Sequence, residues 1–161
     1  MRKRITSAVL TAFVLALLFG MASFAASPTP AATTVTKIPE PTALAAGVTA
    51  KTESGVTAVI KKLDETSVKS AVEAAKTRGT TLLKAMDISV TGAKDGKLSV
   101  SGIGSAGMKV TVLHFNGKMW ESYGTYTVAN DGTLTFKARS FSPFAFVTDS
   151  KTVTSPKTGD D

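Results

Sequence analysis

The sequence predicts a mainly β protein, an immunoglobulin-like β-sandwich of about seven strands with one α-helix at about 66–78, behind a cleaved signal peptide. Three observations lead there. From residue 80 onward apolar and polar residues alternate with period two, as half-buried strands require. Glycine-containing turns interrupt that alternation at short, regular spacing. A single stretch ahead of it keeps the 3.6-residue period of an amphipathic helix.

At the N-terminus, Arg2, Lys3 and Arg4 precede an apolar run from Ala8 to Phe19, and small residues follow up to Ala26. That order is the order of a secretory signal peptide. The apolar run covers about 12 residues, short of the roughly 20 that cross a hydrocarbon core, so a permanent membrane anchor is the weaker reading. Signal peptidase is expected to cut between Ala25 and Ala26. Retention as a lipoprotein needs a cysteine after the run, and the chain has none. Residues 26–37 are rich in Pro, Ala and Thr without an apolar period, which predicts a flexible, extended spacer. The folded domain is expected over 38–148 and a disordered tail over 149–161.

Within the domain, β-branched and polar residues alternate between Gly47 and Leu63, and Ser54-Gly55 supplies a turn between two short strands. Val68, Ala71, Val72 and Ala75 then fall on one helical face. Asp64, Thr66 or Ser67 caps the start; Lys76 and Arg78 suit the negative end, and Gly79 can adopt the left-handed conformation that stops the helix. Leu83, Ala85 and Asp87–Val90 read as a strand, with Lys94–Lys97 as a hairpin turn into Leu98–Val100. Met108–Phe115 follows, Asn116-Gly117 turns it, and Trp120–Val128 returns. Asn130–Gly132 turns again into Thr133–Phe136, and Ser140–Val147 makes the last strand.

Composition narrows the chemistry. After removal of the leader about 136 residues remain of 161, enough for one core that buries roughly two thirds of the unfolded surface. The formal charge of +7 includes the leader's three basic residues, which leaves +4. The lysines are scattered, and no basic helix with interleaved aromatics occurs, so no nucleic acid is expected as a partner. An exported chain with no cysteine and no Asn-x-Ser/Thr acceptor must rely on its apolar core, and leans toward a Gram-positive source. Catalysis finds few candidates. His114 is the only histidine and reads as an ordinary strand residue. No Gly-x-Ser-x-Gly elbow and no metal-ligand spacing occur. Asp64 and Glu65 sit at a helix start, and Asp95 and Asp131 sit in turns. Gly102, Gly104 and Gly107 lie between strands and cradle no phosphate. The expectation is a non-enzyme with no catalytic residues, no metal and no cofactor. Trp120, Tyr123 and Tyr126 lie either in the core or on an exposed aromatic platform for extracellular glycan or peptide.

Asp87-Ile88-Ser89, the hairpin from Val112 to Trp120 and the closing Ser140–Val147 strand resemble a C-terminal β-sandwich module of secreted and wall-attached Firmicutes proteins. The resemblance spans about 70 to 110 residues and is one of strand pattern. It implies a structural or adhesive surface domain, secreted or attached to the cell wall. Ser155, Pro156, Lys157, Thr158 and Gly159 likewise resemble the Ser/Asn-Pro-x-Thr-Gly variant of the Leu-Pro-x-Thr-Gly motif cut by clostridial sortases. The resemblance implies that a sortase cysteine attacks the Thr158 carbonyl and that peptidoglycan is the acceptor. Pro156 pre-orders an extended backbone for a groove, and Gly159 permits close approach. A full sorting signal continues into an apolar span and a basic end, whereas two residues follow Gly159 here. Wall attachment and release into the medium both remain open on the sequence.

Overall fold

The computed structural model describes residues 37–150. The expected cleavage site at Ala25 and Ala26, the spacer up to residue 36 and the SPKTG tail lie outside the described residues.

Ten elements follow one another: α1 (Pro41–Ala45), β1 (Thr49–Thr52), β2 (Val59–Lys61), α2 (Glu65–Thr77), β3 (Thr80–Ser89), β4 (Gly96–Ser101), β5 (Lys109–Phe115), β6 (Trp120–Thr127), β7 (Thr133–Ala138) and β8 (Pro143–Asp149). They form the expected β-sandwich. One sheet has three strands in the order β1-β4-β7, and the other has five in the order β2-β3-β8-β5-β6. All ladders are antiparallel.

In the three-stranded sheet the alternation divides the faces cleanly. Ala50, Leu98, Val100, Leu134 and Phe136 point inward and are buried. Lys51, Ser99 and Thr135 form an outer row of paired positions. From the five-stranded sheet, Met86, Ile88, Val110, Val112, Phe144 and Phe146 complete the core. The rings of Phe136, Phe144 and Phe146 meet at centroid distances of 5.6, 6.1 and 6.5 Å. Burying each such ring stabilises the fold by roughly 1.5–3 kcal/mol.

The main helix forms where the apolar stripe predicts it, and its caps are those the sequence offers. Asp64 accepts from the Ser67 amide at 2.7 Å and from the Ser67 hydroxyl at 3.0 Å. These two bonds hold the Asp64 carboxyl below its ordinary value, the amide bond first. At the other end the Gly79 amide donates to Lys76 O at 2.9 Å, with Gly79 at φ 66°.

The helix packs on a face of the sandwich and not at an end or edge of it. It covers the outer face of the five-stranded sheet, where Val68, Ala71 and Ala75 pack with Ala85, Leu113, Trp120, Ala145 and Val147 in a second core. The physical cause is legible in β8. Phe144 and Phe146 face the other sheet while Ala145 and Val147 face α2, so a strand buried on both sides reads as an unbroken apolar run.

Three expectations about connections are refined. Asn116-Gly117 makes a true hairpin between β5 and β6. The Lys94–Lys97 turn does not, because β3 and β4 belong to different sheets. Ser54-Gly55 closes a local antiparallel pairing of Lys51 with Thr57, after which the chain passes from β1 in one sheet to β2 in the other. A Gly turn reverses the chain locally in either case, and the choice of sheet is made by core packing. The short helix α1 is an addition to the expected elements, and Pro41 at its first turn is its start signal. Lys84 donates to Ala43 O at 3.3 Å and Ala46 O at 2.9 Å, which satisfies carbonyls at the end of α1.

Candidate functional site

The sites read from the sequence divide once the chain folds. Trp120, Tyr123 and Tyr126 do not form one exposed platform. Trp120 is 6% exposed and faces α2, where its Nε1–H donates to Ser70 Oγ at 2.9 Å. Arg78 Nη2 donates to Trp120 O at 2.6 Å, so the strand start is tied to the middle of the helix and to its C-terminal cap. Tyr123 and Tyr126 are half-buried and pack against the opposite core, between the sheets. The separation follows from the pleat together with an irregularity: Val112 pairs with Gly124 but Leu113 pairs with Ser122, leaving Tyr123 as the extra residue of a bulge. Gly124 at φ 125° lies beneath the Tyr126 ring, and the Tyr126 hydroxyl donates to Tyr123 O at 3.0 Å.

A groove of about 440 Å³ opens between the first turns of α2 and the turn end of the β5–β6 hairpin, lined by Asp64, Thr66, Ser67, Ser70, Phe115, Trp120 and Pro143. Its apolar side is half-buried Phe115, whose ring lies 5.4 Å from that of Trp120. Its polar side carries the Thr66, Ser67 and Ser70 hydroxyls. Sequence periodicity had no means of finding it, since its walls come from residues more than forty positions apart.

A second cluster surrounds His114. This side chain is 3% exposed, although its strand position had marked it as ordinary. Its Nε2 contacts the Ser142 hydroxyl and lies 3.0 Å from Ser140 Oγ. Ser142 Oγ donates to Phe115 O at 3.2 Å. The imidazole stacks on Tyr123 at 4.7 Å and meets Phe144 at 5.2 Å. Burial holds the His114 pKa below its ordinary value, partly opposed by the Glu121 carboxylate. A serine bonded to a histidine is half of a nucleophilic constellation, but the His114 Nδ1 that an orienting acid would engage has no partner. Glu121 bonds instead to Asn116 Nδ2.

The acids keep the local roles the sequence indicates. Asp64 caps α2, and Asp131 accepts from the Thr133 hydroxyl at 2.6 Å and its amide at 3.0 Å, bonds that lower its pKa in that order. Among the described residues, no three His, Cys, Asp or Glu side chains converge on a metal position. Among the described residues, too, no helix is long and apolar enough to cross a membrane. Comparison of the chain with protein families, with curated proteins and with solved structures finds no match.

Proposed function

We propose that the chain is an exported, non-enzymatic structural or adhesive module of a Gram-positive cell surface, carried on a spacer and bearing a sortase-type SPKTG sequence. One observation supports this most. The groups that would carry catalysis are engaged in holding the fold: Asp64 and Asp131 cap and turn the chain, and His114 is enclosed between the sheets. With no cysteine in the chain, its stability comes from burial in the two cores and not from disulfides. In this role the partners are signal peptidase, a sortase and peptidoglycan.

The test is mass spectrometry of the native protein from separately digested wall and medium fractions. The expected wall peptide ends at Thr158 in amide linkage to a cross-bridge amine, and the mature N-terminus is Ala26. Recovery of intact Asp161 only, and only from the medium, would overturn the sortase role.

A second reading, a secreted carbohydrate- or peptide-binding domain, is favoured by the groove beside Phe115 rather than by an aromatic platform. Because the only tryptophan lines this groove, titration with neutral oligosaccharides or short peptides is expected to shift its fluorescence saturably. Phe115→Ala is expected to weaken that binding about tenfold, the loss of one aromatic contact of about 1.4 kcal/mol. An unchanged spectrum across both ligand classes sinks the second reading.

A further inference from the structure

We propose that His114 is an acid-sensitive latch on the connection between β7 and β8: a proton taken up at its Nδ1 releases residues 139–142 and opens that end of the sandwich.

The hydrogen-bond bookkeeping at the imidazole carries the proposal. Ser142 has one hydroxyl proton and two acceptors within reach, Phe115 O and His114 Nε2; we assign it to Phe115 O, towards which Ser142 can only donate. In this assignment Ser142 accepts from His114, and the neutral ring's proton sits on Nε2. Ser140 Oγ shares the same nitrogen at 3.0 Å, and the Tyr123 hydroxyl lies 3.5 Å from Ser140 Oγ. The two serines thus hold the connection to β5 through one N–H.

Nδ1 is then the only position left for a second proton, and it is buried without a partner. A proton there creates a cationic N–H facing no acceptor, an arrangement a folded interior does not tolerate. The surrounding charges do not remedy it. From β6, Glu121 pairs with His114 in register, but it is exposed and bonded to Asn116, so its attraction is screened by water. Tyr123, also of β6, offers a ring face. From the connection itself, Arg139 lies 6.0 Å from the Tyr123 ring centroid and adds a like charge. Phe144 of β8 contributes an apolar edge. On the neighbouring β3, Asp87 pairs with Pro143 one position beyond inward-facing Met86, which turns it to the opposite face.

The sign follows from proton affinity. The closed form binds a proton more weakly than the open form, whose imidazole has the ordinary value of 6.5. Closure is therefore complete above about pH 6.5 and weakens as pH falls below it, by up to tenfold per pH unit until the closed form itself titrates. Phe115 and Pro143 line both the open depression beside His114 and Ser140–Ser142 and the groove at α2, so release of the connection changes the groove wall as well.

The test is amide hydrogen exchange of the secreted chain at pH 7.5 and 5.0, corrected for intrinsic rates. Protection of residues 139–142 is expected to fall about tenfold or more at pH 5.0, while β1 and β4 hold theirs. His114→Gln retains an amide N–H for Ser142 but no titratable ring, and is expected to show no such fall. Equal pH dependence in that variant, or none in the wild type, overturns the latch. Should the variant fail to fold, the wild-type protein decides alone, since its only histidine gives one ring signal. That signal is expected to titrate below 6.5 in step with the 139–142 amides, and a midpoint at or above 6.5 refutes the proposal.

Discussion

Gly102→Ala is expected to destabilise the domain by about 3 kcal/mol or more, measured as the shift in urea midpoint followed by far-ultraviolet circular dichroism. Gly102 sits just after β4 at φ 84°, a backbone conformation that costs an L-residue roughly 1–2 kcal/mol. A Cβ there would lie 2.1 Å from Gly47 O and 2.9 Å from Gly47 C. Both are backbone atoms, so no side-chain rotation can relieve the contact. The chain segments themselves must separate, and they lead directly into the β1–β4 ladder through Thr49 and Ser101. Gly107→Ala provides the control. It has φ 82° but nothing within 4 Å of the added carbon, so it is expected to lose about 1 kcal/mol, the conformational part alone. Equal losses at the two positions would show that the approach of Gly102 to Gly47 is not what requires glycine.

Trp120→Ala is expected to lose about 3–5 kcal/mol by the same measurement. The indole is the largest side chain between α2 and the five-stranded sheet, and its removal leaves a cavity lined by residues held in place by their own strands and helix. The Ser70 hydroxyl also loses its donor, and the helix is left tied to β6 mainly through Arg78. Trp120→Phe keeps an aromatic ring and forfeits the 2.9 Å bond to Ser70, so a loss nearer 1 kcal/mol is expected. A Trp120→Ala protein within about 0.5 kcal/mol of wild type would return the indole to the surface and revive an aromatic ligand platform.

Much of the fold was legible because its signals are local. The stripe Val68, Ala71, Val72 and Ala75 names both the helix and the face it buries, and Asp64 and Gly79 mark its ends within one turn. Period-two alternation places Leu98, Val100, Leu134 and Phe136 inside, because a pleated strand sends alternate side chains to opposite faces. The candidate sites were far less legible. Trp120, Tyr123 and Tyr126 look alike on a strand. A single bulge at Tyr123 and the arrival of α2 on one face send the indole to one core and the two tyrosines to the other. No pattern within β6 announces the helix, though the apolar run of β8 implies that something covers the sheet's outer face.

Local sequence signals account for the helix and its caps, the turns at Asn116-Gly117 and Asn130–Gly132, and the inward residues of most strands. Each of these rests on interactions among residues a few positions apart. Long-range packing sets which sheet each strand joins, anchors α2 on Trp120, and encloses His114 with a bare Nδ1. These depend on partners 50 positions away for Trp120 and Ser70, and 26 for His114 and Ser140. Contacts at such separations follow from how two sheets and a helix bury the most apolar surface together, a property of the whole chain that no short stretch encodes.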